Sequence, residues 1–394
     1  MSARSPGGGV PRTVKGLSVV SLFNDLASEM VYPLLPALVT GPLGGGALVL
    51  GLLDGAAELT SAALKVVSGR LADRPGWRGP LILVGYATAV LVRPLIAVAG
   101  AAWQVVGFRV IDRVGKGLRT PARDAWIAAV TPPALRGRAF GFHRAADHFG
   151  AVLGSVVAWL LLERGLGVRD VIGWSAVPGL LVCLVLLPLL RRPSPMSLPA
   201  EPRTARPVDA TGRVFWAPVL LLAALTFLRL PEALLLLRMQ DLGVLVTWIP
   251  LVWAGLHVVR SATSYPGGWL SDRLGPRIAV ASGGLLFAGV AAALAGRLPP
   301  RAAVVVFLVL GAVAGLTESA ERALVARLAP VRTGRGFGSY HALIGVTALP
   351  AGVGFGAVYQ NFGGARALWA SAVGMVLAVG LWLVVTRPTT AESR

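Results

Sequence analysis

The amino-acid sequence predicts an all-α integral membrane protein in which twelve transmembrane helices form two pseudo-symmetric six-helix bundles. Three observations carry that expectation. Hydrophobic residues make up 55% of the 394 residues and charged residues only 14%, against roughly 25% charged in a soluble domain. Apolar runs of about 20 residues, enough to cross a hydrocarbon core, recur twelve times along the chain. The second six runs repeat the first six at an almost constant offset.

In order, the first six spans are expected near 16–39, 47–68, 79–101, 103–126, 138–162 and 171–190. The other six are expected near 216–238, 244–266, 277–296, 302–325, 336–359 and 365–386. A polar Pro/Arg-rich stretch at 191–213 is the only long linker, and it divides the chain into an N-terminal bundle, 1–190, and a C-terminal bundle, 214–394. Lys and Arg cluster on one side of the spans: Arg4, Arg12, Lys15, Arg70, Arg74, Arg78, Arg136, Arg138, Arg191 and Arg192 lie there, while Arg164, Arg169, Arg238, Arg297, Arg301 and Arg366 lie on the other. The positive-inside bias then puts both termini and the linker in the cytoplasm of a multi-pass protein of the cell (inner or plasma) membrane. The polar, Gly-rich start of the chain precedes an apolar run too long for a signal peptide, so no cleaved leader is expected.

The net charge of +19 would suggest a nucleic-acid partner. Here the basic residues punctuate the apolar runs and gather in no basic domain, so no nucleic acid is expected. The single Cys183 permits no disulfide within the chain. No phosphate-binding loop or nucleophile triad appears, which excludes ATP-driven transport and membrane enzymology and implies no cofactor.

The repeat is visible residue by residue. GRLADRPG (Gly69–Gly76) matches GWLSDRLG (Gly268–Gly275) at offset 199, ARDAWIAAVTP (Ala122–Pro132) matches AERALVARLAP (Ala320–Pro330) at 198, and GRAFGFHRA (Gly137–Ala145) matches GRGFGSYHA (Gly334–Ala342) at 197. A parallel duplication of six spans is a transporter architecture, with the site between the halves.

These motifs resemble those of the major facilitator superfamily. Gly69, Asp73, Arg74 and Gly76, followed by Trp77 and Arg78, are similar to its signature between spans 2 and 3, with a second copy at Gly268, Asp272, Arg273 and Gly275. Arg109, Gly115 and Gly117 match its fourth-span motif, whereas Asp112, Arg113 and Lys116 depart from it. Gly141, Gly150 and Gly154 on span 5 resemble the antiporter motif of drug exporters, although Ser155 replaces its Pro and the Gly pair that should follow is absent. The resemblance covers the whole chain and extends to a group of uncharacterised prokaryotic permeases. It implies alternating access about a midplane cavity lined by spans 1, 4, 7 and 10, with spans 3, 6, 9 and 12 facing lipid. It also implies that the signature loops tune the conformational equilibrium, with Asp73 and Asp272 capping helices or pairing with Arg, and Gly69 and Gly268 allowing close helix approach.

The intramembrane charges give the same division independently. Span 4 carries Arg109, Asp112, Arg113, Lys116, Arg119, Arg123 and Asp124, which at about 100° per residue fall within roughly 140° of one helix face. Spans 1, 7 and 10 add Asp25 and Glu29, Arg229 and Glu232, and Glu318, Glu321 and Arg322. Spans 6, 9 and 12 carry essentially none, and span 3 only Arg93. Each such charge costs roughly 2.5–3.5 kcal/mol at a helix centre, so the groups must pair or line a wet cavity.

Several roles remain open for them. Asp25 and Glu29, one turn apart on span 1, read as proton-coupling carboxylates or as permanent partners of the basic stripe. Asp54 and Glu58 on span 2 read as a second coupling pair or as an interdomain lock. Arg109, Arg113 and Lys116 read as an anion clamp, a switch, or a static network. Arg119, Arg123 and Asp124 lie deeper. Arg123 aligns with Glu321 and Asp124 with Arg322, so two charge-reversed pairs could bridge the cytoplasmic mouth as a gate. His143 and Asp147 have the spacing of metal ligands and also that of a hydrogen-bond network.

The expected function is secondary active transport of a small solute or ion by alternating access, proton-coupled, with efflux by antiport favoured and a monomer expected. The basic excess on span 4 tilts the substrate towards a negative or zwitterionic group. The alternatives are a metal-ion or metal-complex exporter and, from another class, a lipid flippase or non-transporting receptor on the same fold.

Overall fold

The computed structural model describes residues 10–132, 135–191, 213–328 and 333–386. The expected linker, apart from its first and last residues, and both chain ends lie outside the described residues, as does the side chain of Arg322. The described residues make twelve helical passes. Nine helices among the described residues are long and apolar enough to cross a membrane by length and composition. The remaining passes, spans 1, 4 and 8, are the more polar ones.

Span 2 is Ala47–Ala72, span 3 Pro75–Leu95, span 4 Ala102–Val130 and span 5 Arg136–Glu163. Span 6 is Val168–Trp174 continued by Ala176–Leu190. In the second half, span 8 is Ile249–Leu274, span 9 Pro276–Ala295, span 10 Pro300–Leu328, span 11 Thr333–Phe362 and span 12 Gly364–Val385.

Spans 1 and 7 are discontinuous, where the hydropathy pattern predicts single helices. Span 1 runs as a helix over Arg12–Val31, tightens into a 3-10 turn at Tyr32–Leu34 and resumes over Leu35–Thr40. Span 7 is helical over Arg213–Phe227 and restarts at Glu232–Asp241 behind Pro231. A proline has no backbone N–H and clashes inside a helix, so each break falls where a proline stands. Pro33 and Pro231 are 198 residues apart, the offset of the repeat, and the two breaks are therefore symmetry mates.

Small residues set the closest helix contacts, as expected where lipid removes the hydrophobic drive between helices. Spans 2 and 11 cross through Gly51 and Gly352. A Cβ on Gly51 would lie 1.9 Å from the Gly352 carbonyl oxygen, and one on Gly352 2.1 Å from that of Gly51. Beside the crossing, the Leu48 amide donates to Gln360 Oε1 at 3.2 Å. This closes the molecule at the end where span 2 begins. On span 5, a Cβ on Gly150 or Gly154 would fall 2.3 or 2.2 Å from the carbonyls of Leu22 and Leu26 on span 1. A Cβ on Gly141, by contrast, would meet nothing within 4 Å. Large apolar side chains are left exposed on spans 3 (Val84, Leu91), 6 (Leu180, Leu184), 9 (Leu285) and 12 (Leu377, Leu381), the faces expected to meet lipid.

The signature loops depart from expectation. Gly69 sits inside the span 2 helix with nothing within 4 Å of a Cβ built on it, so it mediates no close approach in this conformation. Gly268, Asp272 and Arg273 are likewise helical, because span 8 outlasts its apolar run and ends only at Leu274. Asp73 and Asp272 are exposed, and among the described residues neither side chain has a hydrogen-bond or ion-pair partner. The anchoring is done by arginines. Arg78, only 6% exposed, donates through Nε to the Ala72 carbonyl at 2.9 Å and closes the end of span 2. Its repeat mate Arg277 donates to the Thr386 hydroxyl at 3.2 Å and to the Leu383 carbonyl, tying the first turn of span 9 to the end of span 12. Gly275 turns between spans 8 and 9 at φ +82°, a conformation that favours glycine. Arg273 lies over the Trp269 ring at 5.2 Å.

Candidate functional site

The structure divides the charged stripe of span 4 among three environments. Asp112 faces span 3 and is 1% exposed. Its Oδ1 accepts from Arg93 Nε at 2.9 Å, and its Oδ2 lies 3.5 Å from Arg109 and 3.8 Å from Arg113. Arg93 also donates to the Asn24 carbonyl of span 1 at 2.8 Å. One carboxylate thus serves three guanidiniums and ties spans 1, 3 and 4 together. The sequence reading puts Asp112 in the cavity; its burial against Arg93 removes it. The signal for Arg93 was present, since it is the lone charge of an otherwise lipid-facing span.

The second environment is a cavity of about 490 Å³ between the halves, at the level of the two helix breaks. Of the expected residues, Glu29, Asp54, Glu58, Arg109, Arg113, Lys116, Arg229 and Glu232 line it, joined by Tyr32, Trp253, His257 and Arg260. Tyr32, at the break of span 1, donates its hydroxyl to Asp54 at 3.0 and 3.1 Å, and Arg109 lies 4.7 Å over its ring. Asp54 Oδ2 also accepts from the Ala233 amide at 2.9 Å. That amide is in the first turn of the restarted helix of span 7, where backbone donors have no partner within the helix. A carboxylate of the first half therefore caps a half-helix of the second. Glu29 reaches across as well: Trp253 Nε1 donates to it at 2.8 Å, and His257 Nε2 lies at 4.0 Å. Trp253 packs on Tyr32 with centroids 5.2 Å apart. Sequence reasoning missed Trp253 because an aromatic in an apolar run carries no mark of a partner.

On the second-half wall, Arg260 pairs with Glu318, and Arg229 lies 3.4 Å from Glu321. Both residues, with Glu232 and Glu318, also line a side cavity of about 170 Å³. Among the described residues, Glu58, Lys116 and Glu232 have no ion-pair partner within 4 Å. Asp25 lies one turn before Glu29 and accepts from Asn24 Nδ2 at 2.9 Å.

The third environment is the far end of span 4. Arg119, 4% exposed, donates to the Gly85 carbonyl at 3.2 Å and lies over the Tyr86 ring. It is held against span 3 and takes no part in a gate here. Arg123 bonds Asp124 at 3.0 Å and the Ser21 hydroxyl at 3.1 Å. Glu321 accepts from Tyr340 at 2.6 Å. In this conformation Arg123 and Glu321 are thus each held by other groups, and the bridge expected between them is not made. His143 is 1% exposed, with Nδ1 3.2 Å from the Ser18 hydroxyl and Nε2 3.6 Å from Asp147. Of the two contacts only that with Ser18 is a hydrogen bond; Asp147 stands at ion-pair distance. Among the described residues no group of three His, Cys, Asp or Glu could hold a metal ion.

Two helix bundles, paired discontinuous spans at symmetry-related positions and a charged midplane cavity define a transporter that works by alternating access. The sequence matches the Major Facilitator Superfamily over residues 17–257 and 233–394. The chain belongs to that superfamily. It is 30% identical over 345 residues to an uncharacterised MFS-type transporter of Methanocaldococcus jannaschii, a match covering 85% of each chain. It is 31% identical over 146 residues to multidrug resistance protein MdtH of Edwardsiella ictaluri, covering 37% of this chain and 36% of that one. Among solved structures, a bacterial homologue of the human lysosomal transporter Spinster, inward-facing and occupied, superposes with a TM-score of 0.74 at 17% identity, over 96% of this chain and 98% of that one. The protein is a multi-pass membrane transporter of small solutes.

Proposed function

We propose that the protein is a proton-coupled exporter in the cell membrane, acting as a monomer. Residues 1–190 and 214–394 would rock about the central cavity, with the linker at 191–213 and both termini in the cytoplasm. The closed end then faces outward. The observation that carries the coupling is Asp54. As a carboxylate it accepts from the Ala233 amide and from Tyr32, and so joins the halves beneath the closed end. Arg109 and Arg113 of span 4 and Glu232 of span 7 also act on it. A proton on Asp54 removes the charge that makes these bonds strong, which weakens the outer closure. Glu29, facing Trp253 and His257 from span 1, is a second bond of the same kind. Export is supported by the seating of Gly150 and Gly154 on span 1 and by the partial likeness to a multidrug resistance protein.

Pulsed EPR on the purified protein in nanodiscs tests the coupling without a known substrate. Spin labels go on Pro42→Cys and Asn361→Cys in a Cys183→Ser background. Acidification should move the population toward longer outer-end distances, and Asp54→Asn should hold it there at every pH. A wild-type distance distribution that ignores pH would sink the coupling. Once a substrate is in hand, Asp25→Asn and Glu29→Gln are expected to abolish its pH-driven movement in proteoliposomes while leaving folded protein.

A further inference from the structure

The charges lining the central cavity separate into those already satisfied and those left open. Asp54, Glu29, Arg109, Arg229 and Arg260 all have partners. Lys116 has none within 4 Å among the described residues, and Arg113 reaches only Asp112, at 3.8 Å. These two stand one turn apart on span 4, and the charges acting most strongly on Lys116 are Arg113 and Lys65. They form a basic pole. Glu58 stands beside it, in the field of Lys65, Lys116 and Arg113, and with Asp112 and Glu29, which also act on Arg113, offsets part of its charge. On the other half, Glu232 has no ion-pair partner among the described residues; Arg260 is the charge acting most strongly on it, followed by the acidic Asp54, Glu29 and Glu318. They form an acidic pole at the start of the restarted helix of span 7. Leu230, Trp253 and Ile344 supply apolar wall to the same cavity.

Building on the transporter reading, we infer that the cavity is a binding site for a small zwitterion, its anionic group held by Arg113 and Lys116 and its ammonium group by Glu232. A solute with only an anion would leave Glu232 without an ion-pair partner in a low-dielectric site, and a solute with only an amine would leave Lys116 so. A zwitterion satisfies both poles at once. It also bridges the halves, because its two ends rest on span 4 and span 7.

The test is binding to the wild-type protein in nanodiscs at constant pH, read by isothermal titration and thermal melting. The probes are three matched sets: 2-aminoethylphosphonate, ethylphosphonate and ethylamine; leucine, 4-methylpentanoate and 3-methylbutylamine; 6-aminohexanoate, hexanoate and hexylamine. At least one zwitterion should bind, with its single-charge analogues weaker by about tenfold or more, the effect of one lost charge-assisted contact. Glu232→Gln should erase the preference for that zwitterion over its anion. Lys116→Gln and, in case that variant does not fold, Arg113→Gln should erase its preference over its amine. Binding confined to anions or to amines, equal binding across a set, or no binding by any zwitterion overturns the inference. No proton gradient enters this measurement, so its failure leaves the pH-dependent outer-end distance standing, and the reverse also holds.

Discussion

Asp112 and Arg93 show what a charge inside the membrane is doing when it is not at the transport site. Their side chains are 1% and 4% exposed, and the carboxylate has Arg93, Arg109 and Arg113 around it. Removing one member of a buried pair leaves the other uncompensated, at about 3–5 kcal/mol. Asp112→Asn should therefore lower the unfolding midpoint in detergent sharply. Arg113→Gln, which breaks only a 3.8 Å contact, should lower it much less. Equal midpoints for Asp112→Asn and wild type would mean the network is not what holds spans 1, 3 and 4 together. The neighbouring residues explain why helical phase alone placed Asp112 wrongly. A stripe spanning roughly 140° is wide enough to face both a cavity and an adjoining helix, and only the position of span 3 decides which residues go where. Arg109, near the middle of the arc, reaches the cavity and Tyr32, while Asp112, nearer the edge that Arg119 occupies, turns away from it.

Among elements, the crossing of spans 2 and 11 is the tightest part of the closed end, with each glycine seated on the other's carbonyl. Any side chain at Gly51 must push the two helices apart. Gly51→Leu is expected to shift the labels at 42 and 361 to the long-distance population at neutral pH, as acid is expected to do in the wild type. Gly69→Leu, where a Cβ meets nothing within 4 Å, should leave the distribution in place. If both variants behaved alike, close packing at this crossing would not govern the closure. Most of the spans were legible because hydropathy sums side chains over about 20 residues, and the repeat because its motifs recur at almost one offset. The breaks in spans 1 and 7 escaped the same sum, since a helix interrupted for a few residues stays as apolar as a continuous one. Pro33 and Pro231 were the available signal. They fall at the repeat offset and just before or within the first turn of a restarting helix, where a missing N–H costs little. The capping of Ala233 by Asp54 was not legible at all, because it joins residues 179 positions apart across the two halves.

At the scale of the whole molecule, alternating access requires two sets of contacts that cannot both form. The closed end displays one set: Gly51 on Gly352, Asp54 on Ala233 and Glu29 on Trp253. At the opposite end, the residues expected to form the other set have their bonds made elsewhere. Arg123 is held by Asp124 and Ser21 of its own half, and Glu321 by Arg229 and Tyr340 of its own half. Closing that end with an Arg123–Glu321 bridge would exchange partners and leave the count of satisfied charges nearly unchanged. A two-state equilibrium needs such a near balance if modest differential binding is to tip it. Arg123→Glu and Glu321→Arg should each favour the form described here, moving the ratio of short to long outer-end distances by about 5–150-fold, the span of a 1–3 kcal/mol coupling. The double swap restores opposite charges at the two positions and should return the ratio toward wild type. If the double variant is displaced by the sum of the single effects, the two residues do not meet in the alternate state, and the repeat has aligned them without pairing them.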